Sequence, residues 1–345
     1  MDRARAIAVP PPAREPFQNG IDHRDLLLWD AWTEERGETL SLYTLAVARV
    51  AADGTLVTAA NRDRYPFHVR RFVSEDGAES WTDAGAVLRP GGPAPHNVWS
   101  GSVLRRGGRL LTGLTGVRRP EAGRPFVQAV LLVEGEPPDL SRASVLSDPE
   151  RDREAIEAAG YYLGPAASLG TALGEAGGPI LAWRDPFLFE ADGELRAAWS
   201  AKLAPARPCL ASAVLTEGPK GWRATLRPPT ELPDAERFTQ AEVPKLYREP
   251  EGEWLLLVSG CDRRREDQPD VEVTKALRLY RGPSADGPWR PYRAAGSGLL
   301  GADHLFGGAL TAVTEGAATL IAPHTEMAPP DRRYTFAPPR QVGTR

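Results

Sequence analysis

Cysteine is scarce in this chain, which has only Cys209 and Cys261 among its 345 residues. Two cysteines supply neither a disulfide framework nor the four ligands of a structural zinc site, so we expect free, partly buried thiols. A basic excess is also lacking, because the net charge is −4. A protein that binds nucleic acid normally carries a clustered positive charge, so we expect no nucleic-acid partner.

Long apolar stretches are missing as well. No window approaches the roughly 20 apolar residues that span a membrane, so no membrane partner is expected. The first residues carry charge but lack the apolar core of a secretory signal. We therefore expect a cytoplasmic protein, with export by a route that leaves no cleaved signal as the alternative. Residues 1–20, rich in proline and arginine, are predicted to form an extended arm.

Proline and glycine, by contrast, are abundant and spread along the whole chain, with 33 and 34 residues. Short apolar runs lie between them, for example at 40–50, 253–260 and 318–324. Short runs with β-branched or aromatic residues, separated by turn residues, are typical of an all-β sandwich, barrel or propeller.

A recurring turn favours the propeller. The sequences "SEDGAESW" (74–81) and "SADGPW" (284–289) share a Ser-x-Asp-Gly turn followed by tryptophan, and "EGPKGW" (217–222) is a weaker copy. Asp-Gly allows a tight turn with positive φ, and the tryptophan is placed to pack at the start of the next strand. A turn that recurs once per four-stranded unit indicates propeller blades.

Five short stretches place polar residues in aromatic or apolar surroundings. Their key residues are Asp30, Trp99, Asp185, Glu242 and His304, at steps of 69, 86, 57 and 62 residues. This spacing is that of propeller blades with generous loops. It predicts five blades, each of which contributes its innermost strand to one central funnel-shaped pocket.

One segment departs from the β pattern. Residues 147–164 begin with Ser147 or Asp148 as a candidate N-cap, continue with Pro149, and are then rich in acidic residues and alanine. This composition predicts a short helical insertion on the rim. No linker divides the remainder, so residues 21–345 are predicted to form a single five-bladed β-propeller domain.

Four short motifs follow one another along the chain: Trp29-Asp30-Ala31-Trp32, Trp99-Ser100-Gly101-Ser102, Arg184-Asp185-Pro186 and Glu242-Val243-Pro244. They resemble the motifs of glycoside hydrolase family 68, the levansucrases and related fructosyltransferases. That family carries a Trp-Asp-x-Trp stretch, a Trp-Ser-Gly-Ser stretch, an Arg-Asp-Pro stretch and a Glu-Arg-Pro-like stretch, in this order. Each motif alone is weak, whereas the ordered set is more specific.

The resemblance implies a retaining reaction on a β-fructofuranoside such as sucrose, with hydrolysis or fructosyl transfer as the outcome. Asp30 would be the nucleophile, Glu242 the general acid/base and Asp185 the transition-state stabiliser. Glu242 would need a raised pKa, which we expect from apolar neighbours and nearby like charge. Neither a metal nor another cofactor is needed for this chemistry.

Tryptophans would form the apolar walls that sugar faces require, and Ser100 would lie beside the nucleophile. Arg184 would keep a carboxylate ionised and bind hydroxyls. The residues expected to bind the sugar are Trp29, Trp32, Trp99, Ser100, Arg184 and His304.

The chain also departs from the family pattern, with Thr33-Glu34 in place of Pro-Leu, Phe187 in place of histidine, and Val243 in place of arginine. Two alternatives therefore stay open. One is a different furanosidase of the type found in families 43 and 32, such as an arabinofuranosidase. The other is a propeller that binds carbohydrate without catalysis.

Overall fold

The computed structural model describes residues 9–118, 127–136, 138–166, 182–250, 252–264 and 268–345. In this part of the chain the strands form five separate antiparallel sheets, each the blade of a propeller. The predicted all-β, five-bladed architecture is confirmed. No helix among the described residues is long and apolar enough to cross a bilayer.

The blades follow one another along the chain, and in blades 2 to 5 the first strand is the innermost. In blade 1 the second strand is the innermost, because the first strand, from the N-terminal segment, pairs at the outer edge. Blade 1 contains β1 (Phe17–Gln18), β2 (Leu26–Arg36), β3 (Thr39–Ala48), β4 (His68–Ser74) and β5 (Ser80–Leu88). Blade 2 contains β6 (Asn97–Arg106), β7 (Arg109–Arg118), β8 (Val127–Glu134) and β9 (Ser144–Ser147).

The remaining three blades complete the ring. Blade 3 contains β10 (Arg184–Ala191), β11 (Glu194–Ala204), β12 (Arg207–Gly218), β13 (Gly221–Leu226) and β14 (Thr230–Glu231). Blade 4 contains β15 (Gln240–Arg248), β16 (Trp254–Cys261), β17 (Lys275–Gly282) and β18 (Arg290–Pro291). Blade 5 contains β19 (Ala309–Thr314), β20 (Ala317–Ile321) and β21 (Arg340–Gly343).

The innermost strands close a ring, because β2 contacts β6, β6 contacts β10, β10 contacts β15, β15 contacts β19, and β19 returns to β2. Apolar side chains fill the spaces between neighbouring blades in five clusters, one for each interface. Since both faces of a blade are covered, its central strands are buried along almost their whole length. Every residue of β16 is buried, for example. This explains why continuous apolar runs replace the strict alternation of a one-sided sheet.

The recurring turns occupy equivalent places in three blades. The turn at 74–81 joins β4 to β5, the one at 217–222 joins β12 to β13, and the one at 284–289 joins β17 to β18. All three are hairpins between the third and fourth strands that follow from the centre. The tryptophans Trp81, Trp222 and Trp289 are buried. The predicted repeat of one such turn per blade is therefore confirmed for blades 1, 3 and 4.

The predicted helix is present but shorter than the sequence suggested. It is α1 (Arg153–Ala158), and its N-cap is Asp152 rather than Ser147 or Asp148. Asp148 instead accepts hydrogen bonds from the backbone N–H groups of Glu150 and Arg151. Its carboxylate stabilises a turn ahead of the helix, which delays the first helical residue.

The N-terminal segment is docked on blade 1 over its described part, residues 9–20. Buried Arg70 donates to the carbonyl oxygens of Pro10 (3.0 Å) and Pro11 (2.9 Å). The backbone N–H of Ala13 donates to Asp83 Oδ2 at 2.7 Å. Strand β1 then pairs with β5. These contacts hold the predicted arm against the outer edge of the blade.

Candidate active site

The innermost strands of blades 1 to 4 each carry an irregularity at a residue that the sequence singled out. The register shifts at Asp30 on β2, at Ser100 on β6, at Asp185 on β10 and after Glu242 on β15. Asp30 and Asp185 have positive φ values of 54° and 65°, and Val243 has 47°. A bulge turns a side chain away from the two sheet faces. Here the bulges turn carboxylates toward the propeller axis.

All four bulges border one cavity of about 550 Å³ at the centre of the ring. A volume of this size falls within the range of small-molecule sites. The cavity brings together residues from the innermost strands of four different blades. The predicted site residues that line it are Trp29, Asp30, Trp99, Ser100, Arg184, Asp185 and Glu242.

Asp30 is held by two blades besides its own. Ser100 Oγ donates a hydrogen bond to Asp30 Oδ2. The N–H of Ala31 donates to the carbonyl oxygen of Gly307 at 2.6 Å, and Gly307 N–H in turn donates to Ser259 Oγ at 2.9 Å. Ser100 of blade 2 thus holds the Asp30 carboxylate, while the backbone just after Asp30 is tied to Gly307 in the connection that leads into blade 5.

Asp185 is tied into the same framework. Its backbone N–H donates to Thr115 Oγ1 at 2.7 Å, and Thr115 Oγ1 donates to the carbonyl oxygen of Ser100 at 3.2 Å. Asp185 Oδ2 accepts from the N–H of Val243 at 3.1 Å. A continuous chain of hydrogen bonds therefore links the bulges of β6, β10 and β15, which restricts the relative movement of their side chains.

Two side chains contact the same carboxylate oxygen of Glu242. Arg184 Nη2 lies 3.2 Å from Oε1, and Cys261 Sγ donates to the same Oε1 at 3.2 Å. The Arg184 guanidinium also lies 3.6 Å from Asp185 Oδ2 through its Nε. Arg184 thus bridges two carboxylates, as predicted for a residue that keeps a carboxylate ionised.

A second buried cation lies in this region, and the sequence analysis did not identify it. Lys245 is 1% exposed, and its Nζ donates to the carbonyl oxygen of Val243 at 3.3 Å. Its charge interacts with both Asp30 and Asp185, although burial is the larger influence and lowers the pKa of Lys245 to about 8. A single lysine in an apolar stretch usually marks the exposed end of a strand, so nothing in the sequence indicated that Lys245 is buried.

The pKa values of the three carboxyl groups are shifted in different directions, and that of Glu242 is shifted opposite to the prediction. Burial raises the pKa of Asp30 above its ordinary value, although Ser100 and Lys245 counteract it. Burial likewise raises the pKa of Asp185 to about 7 against the opposing charge of Arg184. For Glu242, burial raises the pKa, but Arg184 and the other donors outweigh burial, so the net pKa is lowered.

The expectation of a raised pKa for Glu242 is therefore wrong. The sequence argument counted Val243 as an apolar neighbour, yet the side chains that contact the carboxylate are the Arg184 guanidinium and the Cys261 thiol. A hydrogen-bonded, positively charged setting stabilises the ionised form.

The tryptophans divide into two groups. Trp29 and Trp99 line the cavity, but Trp32 does not. Trp32 is 2% exposed, lies in the core between blades 1 and 2, and stacks on Tyr43 with a 6.4 Å centroid separation. The prediction that Trp32 is a sugar wall is wrong. The bulge at Asp30 puts Trp32 on the same side of β2 as Trp29, but Trp32 lies three residues further along the strand, where it packs among the core residues between blades 1 and 2.

Trp29 itself is largely covered. The Arg62 guanidinium lies 4.7 Å from the Trp29 ring centroid, and Phe67 meets the indole edge to face at 4.7 Å. Arg62 comes from the connection between β3 and β4 and also lines the cavity. A cation over an indole is favourable. Any sugar in the cavity would therefore meet Arg62 as well as the tryptophan.

His304 is not among the lining residues. It is exposed, and its carbonyl oxygen accepts a hydrogen bond from Thr325 N–H at 2.8 Å. The stretch it belongs to instead supplies Gly307, beside Asp30. The histidine of the cavity is His324, which is 9% exposed and whose Nδ1 lies 3.3 Å from Thr335 Oγ1. Burial lowers the pKa of His324, which favours the neutral ring. No motif in the sequence pointed to His324.

Within the described residues, no group of three or more histidine, cysteine, aspartate or glutamate side chains is arranged to hold a metal ion. Cys209 and Cys261 are both buried and unpaired. The expectation of free thiols is confirmed, and Cys261 adds an unforeseen contact with Glu242.

No protein-family model and no curated protein sequence matches the chain. Solved structures do match. Bacillus subtilis levansucrase is 14% identical with a TM-score of 0.60, covering 94% of this chain and 86% of that one. A levansucrase variant complexed with sucrose is 14% identical with a TM-score of 0.62, covering 93% and 84%. A B. megaterium levansucrase variant is 14% identical with a TM-score of 0.59, covering 99% and 90%. The chain therefore has the five-bladed β-propeller fold of the levansucrases.

Proposed function

We propose that this protein is a retaining enzyme that transfers a β-fructofuranosyl unit from a donor such as sucrose to water or to a sugar hydroxyl. The observation that carries the proposal is the meeting of Asp30, Asp185 and Glu242, from three different blades, in one central cavity. A levansucrase variant of the same fold is complexed with sucrose, which supports a sugar as the ligand class.

The first half of the reaction forms a covalent intermediate. The carboxylate of Asp30 attacks the anomeric carbon of the fructosyl unit while Glu242 donates a proton to the leaving oxygen, so that the glycosidic bond breaks and the alcohol departs. Asp185, held by Val243 N–H, accepts hydrogen bonds from sugar hydroxyls. These bonds strengthen as positive charge develops on the sugar.

In the second half, Glu242 acts as a base. It removes a proton from water or an acceptor hydroxyl, whose oxygen attacks the anomeric carbon and releases Asp30 as a carboxylate. Two inversions at the same carbon give overall retention. Since the alcohol acceptor and water use the same base, the site alone does not favour transfer over hydrolysis.

The lowered pKa of Glu242 sets a condition on this mechanism. Glu242 is held ionised by Arg184, and a donor that binds must weaken that contact before Glu242 can carry the proton. Sugar hydroxyls that accept hydrogen bonds from Arg184 would do so. We therefore expect activity to decline on the alkaline side as protonated Glu242 becomes rarer.

The test is chromatographic analysis of sugars after incubation with sucrose. The wild type should release glucose, with free fructose equal to it for hydrolysis or below it for transfer. Glu242→Ala should reduce glucose release by about 10²–10⁴-fold, and Asp30→Ala should abolish it. Asp76→Asn, on a remote hairpin of blade 1, is the matched control and should keep wild-type turnover.

A wild type that turns over no fructoside would contradict the proposal. Turnover of arabinofuranosides instead, lost in the same two variants, would assign the site to the other furanosidase class. Sugar binding without any turnover would identify a carbohydrate-binding propeller.

A further inference from the structure

We propose that Gln128 and Gln240 form a neutral clamp on the guanidinium of Arg184. The two glutamines are positioning residues. They fix the guanidinium in place and, because amides carry no charge, they leave its positive charge to the two carboxylates that it contacts. This inference rests on the proposed function, because it assigns a role within the same site.

The clamp is formed by hydrogen bonds from Arg184. Its Nη1 donates to Gln128 Oε1 at 3.4 Å, and its Nη2 donates to Gln240 Oε1 at 3.2 Å. Gln128 lies on β8 of blade 2 and Gln240 on β15 of blade 4, whereas Arg184 lies on β10 of blade 3 between them. Gln128 Oε1 also accepts from the backbone N–H of Trp183 at 3.4 Å. The guanidinium is therefore held from both neighbouring blades.

Burial makes these acceptors necessary. Gln128, Gln240 and Arg184 are all buried, with at most 5% of their surface exposed. A buried guanidinium needs acceptors for its N–H groups, because an unpaired buried donor costs free energy. Arginine only donates, so each amide has to present its oxygen. Neither glutamine is among the described residues that line the cavity. They consequently act on a bound sugar only through Arg184.

The neutrality of the clamp matters because Arg184 also contacts two carboxylates. Its Nη2 lies 3.2 Å from Glu242 Oε1, and its Nε lies 3.6 Å from Asp185 Oδ2. Gln240 therefore shares Nη2 with Glu242, two residues further along β15. A carboxylate at position 240 would compete with Glu242 for that nitrogen, because hydrogen bonds between charged groups are roughly twice as strong as neutral ones. With an amide there, Glu242 is the stronger acceptor on Nη2.

The charge of Arg184 has a large effect on Glu242. Burial disfavours the ionised form of Glu242, and Arg184 is the strongest of the groups that favour it. The charge that the clamp leaves on Arg184 therefore decides how readily Glu242 takes up a proton. The other charged or ionisable groups that act on the same carboxyl group are Cys261, Arg263, Lys275, Asp30 and Asp185.

The test compares two replacements of Gln240. Gln240→Glu adds a competing carboxylate, so Arg184 is shared and the pKa of Glu242 should rise by about 1 unit. Gln240→Met removes the acceptor without adding charge and should change that pKa by much less. Carboxyl titration by ¹³C NMR measures both, with Glu242→Gln to assign the resonance in each background. Gln341→Glu is the matched control, since Gln341 lies exposed on β21 of blade 5, and it should leave the pKa of Glu242 unchanged.

Kinetics give a second readout. The alkaline limb of kcat/KM against pH reports the ionisation of the acid in the free enzyme, so it should move to higher pH in Gln240→Glu by the same interval. A merely structural defect would lower kcat without moving the limb, and this is the result expected for Gln240→Met. If the wild type turns over no sugar, the proposed function fails, but the NMR titration still decides the role of the clamp.

A second position covers the case in which Gln240→Glu does not fold. Gln128→Glu places the added carboxylate on the Nη1 side of Arg184, from blade 2, and should raise the pKa of Glu242 as well. If neither variant folds, Gln240→Glu combined with Glu242→Gln should regain wild-type stability in urea unfolding, because one carboxylate again shares Nη2 with one amide. An unchanged pKa of Glu242 in a folded glutamate variant, or a double variant that also fails to fold, would overturn the inference.

Discussion

Asp30 shows how closely one residue can depend on the backbone of another blade. Its carboxylate lies against Gly307, which comes from the connection that precedes β19 and has a φ of 62°. An ideal Cβ at position 307 would lie 2.9 Å from Asp30 Cα and closer still to Oδ1. Contacts below 3.0 Å to a fixed backbone cannot be relieved by a rotamer change, so glycine is required here.

Gly307→Ala should therefore displace the Asp30 carboxylate and lower kcat by at least about 10²-fold, because a shift of about 1 Å in a reacting group has such an effect. Steady-state kinetics with sucrose measure it. Gly301→Ala is the control, since Gly301 has a similar φ of 69° but nothing within 4 Å of the added methyl group. Equal losses in both variants would show that backbone strain, rather than contact with Asp30, is responsible.

Asp185 should reduce stability at neutral pH. Its pKa is raised from 3.8 to about 7, so the folded state binds the proton more tightly than the unfolded state between these values. The contribution of Asp185 to the free energy of unfolding is therefore most favourable below about pH 4 and is lost as the pH rises to about 7.

Asp185→Asn should accordingly stabilise the fold by an amount that grows over this interval and then levels off, as measured by urea unfolding at several pH values. Asp76→Asn is the opposite case. The pKa of Asp76 is lowered to about 2 by Ser80 and Ser74, so its loss should not stabilise the fold at neutral pH. A pH-independent effect of Asp185→Asn would contradict the proposed linkage.

At this scale the sequence identified the charged and aromatic types but not every position. Asp30, Ser100 and Asp185 were found because short motifs name them. The predictions that Trp32 and His304 bind the sugar were wrong. The course of the strand or loop decides which side chains face the propeller axis, and residue type does not reveal that course. Lys245 and His324 were missed for the same reason.

The blade is the repeating element, and its inner and outer strands contribute differently to the molecule. In blades 1 to 4 the innermost strand carries a bulge that borders the cavity, whereas in blades 1, 3 and 4 the hairpin between the third and fourth strands is followed by a buried tryptophan. Trp81 illustrates the contribution of the outer strands, because it is 1% exposed and fills the space between blades 5 and 1. A sequence repeat is visible because the hairpins of blades 1, 3 and 4 share this turn and a buried tryptophan.

Trp81→Ala should lower the free energy of unfolding by about 3–5 kcal/mol, the typical loss for a large aromatic removed from a core. Urea denaturation measures the change. Thr82→Ala alters the exposed neighbour on the same strand and should cost less than about 0.5 kcal/mol. A small effect of Trp81→Ala would mean that the hairpin can repack without its anchor.

The helical element was located correctly and its start was not. An acidic, alanine-containing segment after a proline predicts a helix, and α1 lies within it. Asp148 was an equally good N-cap candidate by residue type. Its hydrogen bonds to Glu150 and Arg151 N–H make a turn instead, and local sequence does not distinguish these outcomes.

Considered as a whole, the molecule is a ring whose ends must meet. Ile21, ahead of β2, bridges to Phe336 near the C-terminus, and Leu28 N–H donates to the carbonyl oxygen of Tyr334 at 2.9 Å. Blade 5 is thereby fastened to blade 1. The number of blades could be predicted from the spacing of motifs, but this closure could not, because it joins residues more than 300 positions apart that share no pattern.

Removal of residues 1–16 should weaken this ring at blade 1 without altering the cavity. Arg70, whose side chain is buried, would lose its hydrogen bonds to the carbonyls of Pro10 and Pro11. A loss of about 1–3 kcal/mol in the free energy of unfolding is expected. Removal of residues 1–8 alone leaves those acceptors in place and should have a smaller effect. Equal stability of the two truncated proteins would contradict the role given to the docked arm.

The central claim is a double displacement through Asp30, and the configuration of the product tests it most directly. The protein is incubated with sucrose in water containing methanol, and the first methyl fructofuranoside formed is examined by ¹³C NMR. Two inversions predict the β-anomer, with retention of the donor configuration. The α-anomer would mean a single displacement, and it would contradict a covalent intermediate on Asp30.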